Sequence, residues 1–224
     1  MLYTGAPQLA GPLLYLPGVK YNYDTIAFLY DRVARLVFGH TLIDAQQYLV
    51  EAISPGARVL IAGGGTGWIL ETITAHHPSG LHITYIDSSE KMIALARKRN
   101  AGGNEVVFIA ADIQQVSLAD GYDVVFTAFF FDNFEQQGAE AIFNKLHSAL
   151  APGGHWLYAD FQKTTAPAHK VVLRIMYMFF RLLCRIQARE LPDIQGSFKK
   201  YGYTRTGTRT FRKNWIAAEI YHKQ

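Results

Sequence analysis

Val59 to Trp68 reads VLIAGGGTGW, and the rest of the chain can be worked out from this decapeptide. Its first residues belong to a short apolar run, Arg58 to Ala62, that follows the turn residues Ser54, Pro55 and Gly56 and has the signature of a buried strand. Glycines at 63, 65 and 67 then remove side chains where the chain must turn tightly. Strand, glycine loop and helix in that order let backbone amides approach a ligand at a helix N-terminus. Gly63, Gly64, Gly65 and Gly67 are therefore candidate contacts of a nucleotide-type cofactor. Trp68 occupies the position where a GxGxxG dinucleotide fingerprint needs its third glycine, and no Lys follows the loop as a GxxxxGK[ST] phosphate loop requires.

Outward from the loop the pattern repeats as strand 57–62, helix 66–76, strand 82–86, helix 89–100 and strand 105–110, the period of βαβ units. Tyr122 to Ala128 predicts a fourth strand, Gln136 to Leu150 a helix, Pro152 and Gly153 a turn, and His155 to Asp160 a fifth strand. The strand runs are too continuously apolar for a sheet wetted on one face, so helices should cover both sides of a mainly parallel sheet. Upstream, Tyr23 to Phe38 has amphipathic helical spacing ended by Gly39, and a second helix runs from about Thr41 to Ala52. Downstream come a basic helix from about Ala168 to Glu190, a weakly helical piece at 192–201, and two strand-like runs, Tyr203 to Thr210 and Trp215 to Tyr221. The last two predict an antiparallel hairpin at the sheet edge.

Asp87 ends the second strand in HITYIDSS, 24 residues after Gly63, about the separation of a carboxylate that accepts from both ribose hydroxyls. The alternative is a helix cap, a role open equally to Ser88 or Ser89. Asp112, in VVFIAADI, is placed to accept from an adenine amine with Ile113 packed on the ring; the alternative is a solvated loop carboxylate.

At this point the chain resembles the class I S-adenosylmethionine-dependent methyltransferases, of the small-molecule type that includes the quinone-biosynthesis enzymes. The resemblance covers roughly Tyr21 to Asp160 and rests on LIAGGGTG, IDSS, AADI, FTAFFFDNF and LHSALAPGGHWLYAD in order. Ala62 replaces the acidic residue often found just before the first glycine. The resemblance implies an α/β fold, a Rossmann-like, mainly parallel seven-stranded sheet with helices on both faces and a C-terminal antiparallel hairpin. It implies S-adenosyl-L-methionine as cofactor, with Asp87 and Ser88 at the second strand, Met92 buried over the adenine, Asp112 and Ile113 at the third, and Phe129 beside the methionine moiety. Residues 1–55 would form a helical cover placing Tyr21 or Tyr23 near the methionine portion. A nonenzymatic binding module and a nicotinamide dinucleotide oxidoreductase are the alternatives.

A sulfonium arrives already activated, so aligning it with the nucleophile in a dry pocket is the protein's main task. Tyr15, Tyr23, Asp132, His155 and Asp160 could serve a phenol or enol as base, and none stands out. FFFDNF, Phe129 to Phe134, replaces the Asn/Asp-Pro-Pro-aromatic signature of many nucleic-acid enzymes and favours an apolar or aromatic small acceptor over a nucleic acid. His76 and His77 are adjacent and no HExxH occurs, so no catalytic metal is expected.

Composition sets the remaining bounds. The chain has 224 residues, half of them hydrophobic, which suits a single domain over 1–224. The one cysteine, Cys184, excludes an internal disulfide and fits a cytoplasmic setting. The formal charge of +4 hides two halves: residues 1–162 carry 9 Lys or Arg against 15 Asp or Glu, and residues 163–224 carry 13 against 3. Lys170, Arg174, Arg181, Arg185 and Arg189 fall within about 100° of a helical wheel, while Ile175, Met178, Phe179, Leu182, Leu183 and Ile186 populate much of the opposite arc. This basic insert, 166–191, would stand above the acceptor pocket, with three roles open: a solvated helix face, a contact with anionic membrane, or a grip on an anionic substrate. Arg174 and Arg181 break its apolar run, so no transmembrane segment is expected, and the Pro-interrupted start lacks the basic region of a signal peptide.

Overall fold

Strand β1 (Arg58–Ala62) is buried from Val59 onward and pairs in parallel with a neighbour on each side, β2 (Ser79–Asp87) and β4 (Tyr122–Ala128). A strand enclosed in this way needs apolar side chains on both faces, which is why VLIA shows no alternation. In the computed structural model, residues 27–164 and 190–224 are described, together with 166, 169, 171, 172, 174, 175 and 178. Tyr21, Tyr23, Tyr15, Lys170, Arg181, Arg185, Arg189 and their apolar partners from Phe179 to Ile186 lie outside the described residues.

The sheet has seven strands in the order β3-β2-β1-β4-β5-β7-β6. From β1 the chain winds outward through β2 to β3 (Gly103–Ala110), then returns to place β4 on the other side of β1, followed by β5 (Leu150–Phe161). These five strands are parallel, so their carboxyl ends share one rim. The closing hairpin is antiparallel: β7 (Ile216–His222) lies between β5 and the edge strand β6 (Thr204–Phe211). Reversal of the winding between β1 and β4 leaves a crevice at that rim, where doubly wound sheets bind ligands.

Helices cover both faces. Residues of α2 (Thr41–Val50), α3 (Trp68–His76) and α4 (Glu90–Ala96) pack with Val59, Ile61, Ile83, Phe126 and Leu157, and Phe38 at the end of α1 (Ala27–Phe38) joins them. On the other face α5 (Gln136–Ala149) and α6 (Ile194–Lys200) pack with Leu60, Ile86, Val125, Trp156 and Tyr158. The sheet, its hairpin and the two helical layers match the fold expected above.

Local differences have identifiable causes. β5 leaves α5 directly at Leu150, and the expected turn at Pro152 and Gly153 is a register irregularity inside the strand, between the pairings Tyr122↔Leu150 and Val124↔His155. α3 starts at Trp68, two residues late, because Gly67 sits at φ 88°. α4 ends at Ala96, where Lys98 and Arg99 switch to shorter bonds with the carbonyls of Leu95 and Ala96. β3 departs from continuous burial, with Val107 61 % exposed, because it is an edge strand.

Candidate active site

The glycine loop leaves β1 and is tied at once to β2: the amides of Gly63 and Gly64 donate to the Ile86 carbonyl at 2.9 and 3.3 Å. Gly63, Gly65 and Gly67 have φ of 71°, 61° and 88°, a region that L side chains enter only with strain. Their surroundings differ. A Cβ at Gly63 would collide with the Phe130 ring, one at Gly64 with the Tyr85 ring, and one at Gly67 would lie 2.7 Å from Ala96 Cα. At Gly65 a Cβ would meet nothing within 4 Å, so the loop opens onto free space there.

Asp87, half-buried at the end of β2, accepts from the Gly65 amide through Oδ2 and from the Ser89 amide through Oδ1, both at 2.9 Å. One carboxylate thus links the loop to the start of α4. The cap of α4 is Ser89, whose Oγ accepts from the Met92 amide at 3.1 Å, and Ser88 is exposed beside it. Met92 and Ile113 are buried, Asp112 is half-buried, and Asp112 Oδ1 accepts from the Gln114 amide at 2.9 Å. Gly63 to Gly67, Ser88, Asp112 and Ile113 follow the carboxyl ends of β1, β2 and β3, Asp87 ends β2, and Met92 lies in the first turn of α4, which starts at that end.

Phe129 follows β4 at φ 53°, with its amide donating to the Ala159 carbonyl at 2.8 Å. The strained residue turns the chain into a single 3-10 turn, Phe131–Asn133, in the stretch between the expected fourth strand and the Gln136 helix to which the sequence assigned no element. Asn133 Nδ2 donates to the carbonyls of Phe129 and Phe130 and to Asp132 Oδ1, which closes the turn on itself. Phe130 is thereby held against Gly63, and the Phe129 ring lies 5.6 Å from Phe161.

Two carboxyls at this rim are buried: Asp132 is 8 % exposed and Asp160 2 %. Burial pushes Asp132 up to about 7. Burial, with Asp132 as a like charge beside it, pushes Asp160 well above the usual carboxylate range, although the Phe161 amide donates to it at 2.8 Å. Glu219 on β7 is also buried, but the Arg205 guanidinium meets it at 2.7 Å and Tyr221 Oη donates to it at 2.9 Å.

Other features of the site were not foreseen. Arg99 lies over the Trp68 ring at 4.2 Å, donates to the Thr66 carbonyl at 3.1 Å and pairs with Glu71 at 3.3 Å, so it braces the loop. Trp215 packs against Phe161 and Phe38 with His169 stacked on it at 4.5 Å, and its indole N–H is buried with no hydrogen-bond partner among the described residues. His155 lies midway along β5, beside His222, five residues before Asp160 and away from the rim. Among the described residues, no three His, Cys, Asp or Glu side chains gather in a way that could hold a metal ion.

Residues 59–154 match a family model described as a methyltransferase domain. The chain is 30% identical over 189 residues to the demethylmenaquinone methyltransferase of Thermus thermophilus, covering 81% of this chain and 80% of the relative. The chain belongs to the class I S-adenosylmethionine-dependent methyltransferases. A malonyl-[acyl-carrier protein] O-methyltransferase of Bacillus cytotoxicus is 32% identical over 144 residues, or 64% of this chain and 47% of that protein. The magnesium protoporphyrin IX methyltransferase of Synechocystis, solved with S-adenosylhomocysteine bound, superposes with a TM-score of 0.67 at 19% identity, covering 91% of this methyltransferase and 97% of that chain. This methyltransferase takes its methyl group from S-adenosyl-L-methionine, and the oxidoreductase and nonenzymatic alternatives fall away.

Proposed function

We propose that this methyltransferase transfers the methyl group to a small apolar or aromatic acceptor seated at the carboxyl ends of β4 and β5. The observation that carries this reading is the Phe129–Phe134 turn, which sets aromatic rings between the glycine loop and Phe161. S-adenosyl-L-methionine supplies the methyl carbon on a sulfonium leaving group. The residues present fit it. Gly63, Gly64, Gly65 and Gly67 form a cradle whose one open side is at Gly65, and Asp87 retains lone pairs for the ribose hydroxyls after accepting two amides. Ser88 flanks that carboxylate, Asp112 serves the adenine amine, Met92 and Ile113 pack on the ring, and Phe129 borders the methionine portion. Tyr21 and the N-terminal part of the 1–55 cover would close the site from above, while α2 packs on the sheet face. The chain's own task is to exclude water and hold the acceptor in line with the methyl group.

Calorimetric titration with S-adenosylhomocysteine, NAD and ATP tests the cradle: only the sulfur compound should bind. A turnover assay with a panel of quinols, phenols and nucleic acids then tests the acceptor. Methylation of nucleic acid in preference to the small aromatics would overturn this reading.

A second reading concerns where the acceptor comes from. Val171, Ile175 and Met178 are helical residues that are 57 %, 55 % and 58 % exposed, although the wheel allowed the apolar arc to face the domain; Val172 packs there instead. Leu36 and Val37 of α1 are exposed too, and Arg32, Arg35, Arg174, Arg212 and Lys213 are exposed cations. Apolar side chains among cations favour peripheral contact with anionic membrane, which would deliver a lipophilic acceptor to a catalytic domain spanning 1–224 under its 166–191 insert. Among the described residues no helix is long and apolar enough to cross a membrane. The single Cys184 favours the cytoplasm as the setting.

A further inference from the structure

The fate of one proton separates the acceptors open to this site. Methyl transfer to a carboxylate oxygen releases none, whereas transfer to a hydroxyl oxygen or a ring carbon of a hydroxyarene releases one. We propose that Asp132 and Asp160 together take up that proton, and that the acceptor is therefore a hydroxylated aromatic ring and not a carboxylate. The proposal rests on reading this rim as the methyl-transfer site and names the acceptor class it serves.

Position supports the pair. Asp160 is the penultimate residue of β5 and Asp132 lies in the turn after β4; the pairing Ala128↔Ala159 sets these two strand ends side by side. The amides of Phe161, Phe131 and Asp132 all act on the Asp160 carboxylate and offset part of the burial that raises it, so Asp160 and Asp132 share a proton. The groups around them are Tyr158 on β5, Glu219 and Tyr221 on β7, Arg205 on β6 and Gln195 on α6. Arg205 is committed to Glu219 at 2.7 Å, and among the described residues no cation faces the aspartates. Two carboxylates in such a setting cannot both ionise near neutrality, so the pair holds one proton and has one seat free.

An aromatic wall rises beside the same strand end. Trp215, whose carbonyl accepts from the Gln162 amide at 2.8 Å, two residues beyond Asp160, packs on the sheet face opposite that of Asp160. Its ring joins Phe161, Phe38 and His169, and Phe161 continues the wall to Phe129. These rings suit an aromatic guest, whereas a carboxylate guest would add negative charge next to a pair that already carries one.

The balance is simple. As the acceptor's carbon or oxygen bonds to the methyl carbon, the methyl–sulfur bond breaks and its electron pair stays on sulfur. The acceptor's O–H or C–H proton passes to the pair, which goes from one proton to two.

The test uses naphthohydroquinone as the ring acceptor, malonyl-loaded acyl carrier protein as the carboxylate, and D132N and D160N as variants. Wild type should methylate the naphthohydroquinone with kcat falling as pH drops below neutrality, when both seats fill. Each variant should lose about 10²- to 10⁴-fold in kcat and the acid limb with it, while still binding S-adenosylhomocysteine. Infrared spectra at neutral pH should show a protonated-carboxyl band in wild type that either variant removes, a readout independent of any acceptor. If D160N does not fold, D132N and the wild-type spectrum decide the matter. Unchanged kcat and pH profile, a wild type without the band, preference for the malonyl acceptor, or turnover of neither acceptor by a protein that binds S-adenosylhomocysteine would each overturn the proposal. Failure to bind S-adenosylhomocysteine would instead overturn the reading beneath it and leave the infrared band to report on the pair alone.

Discussion

Asp87 joins two elements that chain order keeps apart, because its oxygens take the amides of Gly65 and Ser89 at 2.9 Å each. Asp87→Asn would put an amide NH₂ against one of these donors, a loss of about 1–3 kcal/mol. Affinity for S-adenosylhomocysteine measured by calorimetry should therefore fall by about 5- to 150-fold. The glycines predict an order of damage. Gly65→Ala adds backbone strain of about 1–2 kcal/mol with no collision, and Gly63→Ala adds the Phe130 clash to similar strain, so it should melt at the lower temperature. Asp132 gives a pH dependence of definite sign. Its carboxyl titrates near 3.8 when unfolded and is pushed up to about 7 by burial, so between these values the folded chain holds a proton that the unfolded chain has released. Stability must fall as pH rises through that window, and D132N should gain on the order of 1–3 kcal/mol over wild type at pH 8 and little near pH 4 in urea titrations.

The turn between β6 and β7 sets Arg212, Lys213 and Asn214 at φ of 48°, 55° and 65°, three left-handed non-glycine residues in a row. Lys213→Gly should relieve about 1 kcal/mol of strain and raise the melting temperature by roughly 2–4 °C, read by calorimetric scanning. Elements of this kind also show where sequence patterns run out. β1 and β4 were legible because their burial on both faces demands unbroken apolar runs, and the glycine loop because its backbone conformation demands glycine. The 3-10 turn at Phe131–Asn133 was not, since its cause is Phe129 at positive φ, which no residue type announces. Asp87 could be read from its distance to the loop, whereas the meeting of Asp132 with Asp160 depends on β4 and β5 being neighbours, and the burial of the Trp215 N–H on packing around it. Asp160 was recognisable as a strand-end acid; its partnership was not.

At the scale of the molecule, the exposed apolar side chains at Val171, Ile175 and Met178, with Arg174 among them, predict how the surface meets lipid. Binding to anionic vesicles should exceed binding to neutral ones and weaken with salt. Arg174→Glu should reduce the salt-sensitive part, and Ile175→Asp with Met178→Asp the remainder, both measured by vesicle co-sedimentation with turnover of a water-miscible acceptor as the control. Equal, negligible binding to both vesicle types would sink the membrane reading.

The strand order carries a consequence for synthesis. β7 is made after β6, yet it lies between β5 and β6. While the ribosome translates the roughly 60 residues after Phe161, a matter of about 3–12 s, the outer edge of β5 has no partner and Ala159 and Phe161 lack the cover of Trp215, Ile216 and Ala218. The nascent chain therefore passes through a stage with an assembled five-stranded cofactor half and an open hydrophobic edge. Stop codons or slow codons between 162 and 215 should be more hazardous to yield than the same lesions after β7, because only β7 closes that edge against other chains.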